Sequence, residues 1–484
     1  MDFKSLFFKN IGIRQTVIKN IFWLAVGEGI LGISALLLTI YAARILLPVE
    51  FGRFTFALAA VSLFVIFSDF GLSDIVTRDF ARDKDDEKEF SAIISLKIIL
   101  GAGTWLLVVA SSFFIASNPF LRMMMLLLGG YLILNSFIDI FVAFFMARML
   151  MEYEAWVKIT QAILVTAAGF YIIFNFPSAV NLSYGYLVTS FVIFVVTVVL
   201  FYLRIQPIRV VWNVKVWKKF LGRSWPLGFA TVFATVYLYI DSVMLGFWGQ
   251  ITEVGWYNAA YKITYVPLVV MALISMAFYP ALSKFFKESK EKLQKFWDYQ
   301  MEIMIVLAMP LMAGGIFLSS KIVTFFYGAN YAPAIPVFRL LALMAGINFL
   351  YVSYNMILVV FHQQKKHLWI CLIAAAVNII LNFTLIPRYS FYGAGLATLV
   401  SYVVLFVLEV EFSRRFTSIA IFNARLAKVL AAAIISSIIM ALIIRQPFIY
   451  GLNFIIVFLI GMAAYFAILA LFYKLLKLYA YLIP

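Results

Sequence analysis

Charge is scarce in this chain. Asp, Glu, Lys and Arg make up 12% of its 484 residues, about half the share of a water-soluble domain. Hydrophobic residues reach 65%, so too little polar surface exists to face water on all sides. Cys371 is the single cysteine, which excludes an intramolecular disulfide. His362 and His367 are the only histidines, too few for a credible zinc site without a cysteine cluster. Nucleophile elbow, phosphate-binding glycine loop and paired-carboxylate motif are all missing, so the chain does not read as an enzyme and no cofactor is expected.

Long apolar runs are what the sequence has instead. A helix needs roughly 20 apolar residues to cross a bilayer. Fourteen such runs follow one another, from 21–47 to 454–475, which predicts an all-α polytopic membrane protein. The net charge of +16 is carried by short basic clusters between runs. That is the pattern of loops facing anionic lipid, and nucleic acid is excluded as a partner. If the N-terminus is cytoplasmic, the inner loops hold 29 Lys and Arg and the outer loops 6. This asymmetry predicts a multi-pass protein of the cytoplasmic (inner) membrane with both termini inside. The N-terminal Lys4, Lys9, Arg14 and Lys19 resemble a signal peptide's charged region. No small-residue cleavage pattern follows, so the first run is expected to stay as a spanning helix. Residues 74–90 are expected to form an amphipathic helix on the inner surface. The stretch 204–223, with Trp212 and Trp217, is expected to be a surface linker.

The two halves echo each other. Glu50-Phe-Gly52-Arg-Phe54 aligns with Glu253-Val-Gly255-Trp-Tyr257 at an offset of 203, and residues 189–191 echo 400–402 at an offset of 211. Both offsets place runs one to six on runs seven to twelve, in one orientation. The expected organisation is an N-lobe at 1–204, a linker at 205–222, a C-lobe at 223–415 and two appended helices within 416–484. Transporters with parallel repeats place their pathway between the halves.

Several segments resemble the polysaccharide (Wzx-type) flippase family of the multidrug/oligosaccharidyl-lipid/polysaccharide exporter superfamily. They are Asp241–Gly246 with Val254–Lys262, Asn378–Pro387 with Gly393–Thr398, Arg44–Gly52, and Asp69-Phe-Gly71-Leu72. The likeness runs over nearly the whole chain and rests on turns and packing faces. It implies a MATE-like fold, two lobes in a V around a cavity lined by helices one, two, seven and eight. It also implies movement of isoprenoid-diphosphate-linked oligosaccharides to the outer leaflet, for capsule, O-antigen or exopolysaccharide assembly. Cationic cavities are common in that family. Its partners would be the lipid-linked oligosaccharide, membrane lipids, a polysaccharide polymerase and chain-length proteins.

An ionisable side chain deep in a span is costly and therefore a functional candidate. Lys262 is the leading contact for a diphosphate or acidic sugar, with Asn258 one turn away and Pro267 expected to kink the helix beyond it. Arg44, Lys97 and Arg339 are further basic candidates. Glu28, Asp139 and Asp241 are candidates for ion coupling or for charge pairing, and Glu302 is another acid within a span. A structural alternative stands beside each: Lys262 paired with Asp241, Lys97 and Arg339 as scaffold charges, Arg44 among headgroups. Asp69 and Arg78 are expected to organise an inner turn. No single aromatic is assigned to sugar, because aromatics in such proteins mostly face lipid or mark interfaces. The competing functions are a cation-coupled multidrug exporter, a membrane glycosyltransferase or polymerase, and a non-transporting scaffold. Short outer loops disfavour the glycosyltransferase.

Overall fold

The computed structural model describes residues 13–82, 87–116, 118–205, 207–476 and 478. They form α1 (Ile13–Asp69), α2 (Leu72–Arg82), α3 (Glu87–Ile115), α4 (Pro119–Ala147), α5 (Met151–Asn175), α6 (Ala179–Arg204) and α7 (Val214–Phe247). There follow α8 (Ile251–Glu288), α9 (Lys290–Phe317), α10 (Ser319–Tyr327), a 3-10 turn (Ala329–Ala334), α11 (Ile335–Val360) and α12 (Gln364–Phe416). The chain ends in α13 (Ala424–Ile444), α14 (Pro447–Tyr450) and α15 (Phe454–Leu475).

Among the described residues, twelve helices are long and apolar enough to cross a membrane. Two are of double length. Helix α1 breaks at Leu47 (φ 63°, ψ 168°) and α12 at Ser390 (φ 54°, ψ −140°), so each supplies two crossings and the total is fourteen. The first break has a local cause: Pro48 disfavours the helical region for the residue before it, yet is well suited to open the next helix. Helix α8 continues through Pro267 and Pro280. Two helices begin well before their apolar runs, α7 eleven residues before 225 and α9 thirteen before 303. The second half of the expected linker is thus the first turns of α7. Its N-terminus is capped by Asn213, whose side chain accepts from the Lys215 and Val216 amides.

Packing groups the chain into two units, 1–255 and 256–484. In the first, α1 packs against α4, α5 and α7, and α4 packs against α6. Helix α7 also packs on α2 and α3, so the seventh crossing groups with the first six. Helix α2 covers the first part of the amphipathic helix expected at 74–90, whereas 83–86 lie outside the described residues and 87–90 open α3. In α2, Leu72, Ile75, Val76 and Phe80 are buried, while Asp74 and Arg78 are exposed. Its buried face joins Phe90, Phe141, Phe144, Phe201 and Phe220 in one aromatic core. The irregular stretch before α7 is held to this core. Ser95 donates to the Val211 carbonyl at 2.7 Å, and the Trp217 indole to the Ala92 carbonyl at 2.9 Å. The repeated glycines meet in this unit, Gly52 of α1 lying against Gly255 of α8.

In the second unit α11 and α12 form the most extensive pairing, and α9 packs against both α11 and α13. The last two crossings are not loosely attached. Arg425 of α13 and Tyr473 of α15 both bond to Glu302 of α9, at 2.7 and 2.6 Å, and Tyr465 donates to the Val306 carbonyl at 2.8 Å.

Candidate functional site

The basic candidates fall into two kinds. Lys97 is fully buried on α3 and bonded to Asp69 at the end of the first long helix, whose carboxylate also accepts from Ser73 Oγ at 2.6 Å. A buried ammonium needs such a partner, so Lys97 closes the turn that Asp69 was expected to organise. Arg78 lies on the exposed face of α2 and pairs with neighbouring Asp79 at 3.0 Å. Arg339 is exposed and donates from Nε to Ser319 Oγ at 2.8 Å, joining α11 to α10.

Lys262 differs. Its side chain is exposed and makes no hydrogen bond or ion pair with any described residue. It stands eleven residues into α8, which at 1.5 Å per residue is about 16 Å from the helix start. Asn258, one turn before it, is half-buried. Arg44 is likewise exposed near the end of the first arm of α1, with no bond to a described residue.

The acids divide in the same way. Glu28 on α1 accepts from Lys158 of α5 at 2.7 Å, and the same ammonium donates to the buried Glu154 at 2.6 Å. A second strap, Lys19 to Glu152 at 2.8 Å, joins the same two helices. Asp241 on α7 is 5% exposed. Asp139 on α4 is exposed without a hydrogen bond or ion pair to a described residue. The charges that act on it are those of Lys97, Asp69, Lys158 and Glu154. Asn135, one turn away, accepts from Gln161 at 3.0 Å. Asp139 is thus an open carboxylate acted on by two clusters whose charges are paired.

Further groupings were not anticipated from sequence. Lys158 precedes its apolar run by one residue and was counted with a loop; its spacing of four from Glu154 was the available signal. Two buried polar pairs form in the second unit, Asn382 donating to Asn378 at 3.0 Å and the Tyr257 and Thr398 hydroxyls 3.1 Å apart. His367 and the fully buried Glu409 meet at 2.5 Å. Among the described residues no group of three or more metal-binding side chains forms.

A family model described as "Polysaccharide biosynthesis protein" matches residues 17–286, more than half of the chain. The chain belongs to the polysaccharide biosynthesis protein family. It is similar to a probable low-salt glycan biosynthesis flippase, Agl15, of Haloferax volcanii, at 23% identity over 38% of the chain and 39% of that protein. The match therefore spans about two fifths of that curated relative. Similarity to the capsular polysaccharide biosynthesis protein CapF of Staphylococcus aureus, also 23% identical, covers 82% of the chain and all of CapF. Among solved structures, the lipid II flippase MurJ in an inward closed conformation superposes with a TM-score of 0.75. The superposition covers 94% of the chain and 100% of MurJ, at 17% identity. This family member therefore shares the all-α, many-helix membrane fold of MurJ.

Proposed function

We propose that this family member is a flippase that carries an isoprenoid-diphosphate-linked oligosaccharide across the membrane by alternating access, for cell-surface polysaccharide assembly. The observation that carries the proposal is Lys262: a deep, exposed cation with no bond to a described residue. Placing an unpaired charge inside a span is costly unless a ligand uses it. A diphosphate head equally needs compensating charge to cross a low-dielectric layer. A flexible ammonium suits a moving phosphate, because it lacks the fixed fork of a guanidinium. Arg44, also exposed and unbonded to described residues, is a second contact in this reading. Lys97 and Glu28, each engaged with a partner, serve as scaffold charges.

Family membership and the glycan flippase relative support the transport class, and CapF supports the link to surface polysaccharide. The polymerase and chain-length partners are part of the same proposal. Asp139 favours a second reading, export of cationic compounds, because an open carboxylate would attract a cation. Translocation of a lipid-linked glycan by reconstituted Lys262→Ala and Lys262→Arg proteins separates the two. The flippase reading expects loss with alanine, whereas drug export predicts cationic dye efflux that depends on Asp139.

A further inference from the structure

His367 and Glu409 lie outside the proposed substrate contacts, yet they form the most fully enclosed titratable pair of the second unit's paired helices α11 and α12. Glu409 is 0% exposed and His367 keeps 27% of its side chain accessible. Nδ1 of the imidazole lies 2.5 Å from Glu409 Oε1. The Asn355 amide nitrogen, on α11, lies 2.7 Å from Nδ1 and 2.8 Å from Nε2. Glu409 Oε2 is buried and has no partner. Other titratable groups are few. Cys371 on the same arm of α12 has Sγ 3.4 Å from Nε2, and Tyr351 on α11 acts on Glu409. Lys366 is turned to the Phe416 ring, 4.5 Å away. The packing around the pair is otherwise apolar, from Leu358, Ile370, Ala374 and Leu405.

We infer that His367, Glu409 and Asn355 form a proton-binding site that couples the α11–α12 pair to the proton gradient. Glu409 Oε1 holds the Nδ1 side of the imidazole, and the Asn355 amide nitrogen reaches both ring nitrogens. The imidazole takes a proton at its second nitrogen, and Asn355 accommodates it by turning its amide to offer Oδ1, since an amide presents either an acceptor or a donor from one position. The extra charge is met by Glu409 directly opposite. The site therefore takes or releases one proton without a backbone shift. The spare oxygen Oε2 gives the proton a second acceptor, and the accessible edge of His367 gives it an entrance. Imidazole is the side chain whose charge changes near neutral pH, and buried carboxylate–imidazole pairs in spans are typical proton relays.

The coupling role rests on the transport reading above, whereas the proton site itself does not. With only two histidines in the chain, His362→Gln leaves His367 as the one imidazole signal in nitrogen-15 spectra of protein in lipid nanodiscs. Expected is a protonation step that moves to lower pH in Glu409→Gln, which removes the carboxylate opposite the ring. An imidazole signal whose pH dependence is unchanged by Glu409→Gln overturns the site. In proteoliposomes carrying a lipid-linked glycan, an imposed pH gradient is expected to stimulate transport by the parent protein. His367→Gln and Glu409→Gln lose this stimulation and keep the gradient-independent rate. Titration of His367 with unchanged stimulation in both variants overturns the coupling. Absence of glycan transport in every protein, with His367 still titrating, defeats the flippase reading and leaves the proton site standing.

Discussion

Gly52 and Gly255 pack backbone to backbone, and they do so reciprocally. A Cβ on Gly52 would collide with the Ile251 carbonyl oxygen and stand 3.0 Å from the Gly255 nitrogen. A Cβ on Gly255 would collide with the Pro48 carbonyl oxygen and stand 3.2 Å from the Gly52 nitrogen. Each partner is displaced from its counterpart by 203 residues, the offset of the internal repeat. The repeat motif therefore marks a place where two helix starts cross closely enough to exclude any side chain.

Alanine at either glycine must push backbone away from backbone, and expected losses are about 1–3 kcal/mol each. Gly103→Ala is the control, because nothing lies within 4 Å of the added carbon. There, helix propensity favours alanine by up to about 1 kcal/mol. Thermal unfolding in detergent should rank Gly103→Ala at or above the parent and both crossing variants below it. Equal melting temperatures for all three would show that the crossing is loose.

Lys97 and Asp69 predict a second ranking. Lys97→Met leaves the Asp69 carboxylate without its ammonium, and Asp69→Asn strands a fully buried ammonium. Removing one partner of a buried pair costs about 3–5 kcal/mol. The double variant leaves no uncompensated charge and should recover much of that loss. Yield and melting temperature of the three proteins provide the measurement; additive losses in the double variant would contradict the pairing.

Much of this arrangement was legible before any coordinates. Fourteen crossings follow from apolar runs because the bilayer imposes one length on every span. An amphipathic helix was expected at 74–90 from the charge of that stretch, and α2 forms its first part, over Leu72–Arg82. The first turns of α7 and α9 were invisible for the opposite reason: polar helix ahead of an apolar run carries no hydropathy signal. Lys97, Asp69 and Glu28 were all named from sequence, but which charge each one meets was not. Which charges meet depends on the rotation of helices 28 or 130 residues apart in sequence, and no local pattern records that. His367 was set aside with the zinc argument, although Glu409 sits fully buried beside it.

Topology offers a third test. On the 29-to-6 division of basic residues, residues 215 and 290, in the first turns of α7 and α9, are expected in the cytoplasm. In a Cys371→Ser background, cysteines at these positions should resist a membrane-impermeant thiol reagent applied to intact cells and react after permeabilisation. Labelling of either position from outside would overturn the proposed orientation.

The most direct test of the central claim is the glycan translocation rate of Lys262→Ala and Lys262→Arg at matched membrane abundance. An ammonium that holds the diphosphate predicts normal insertion of both proteins, since Lys262 bonds to no described residue. Transport should be lost with alanine and partly kept with arginine, which retains the charge. Lys262→Ala transporting at the parent rate would contradict the account.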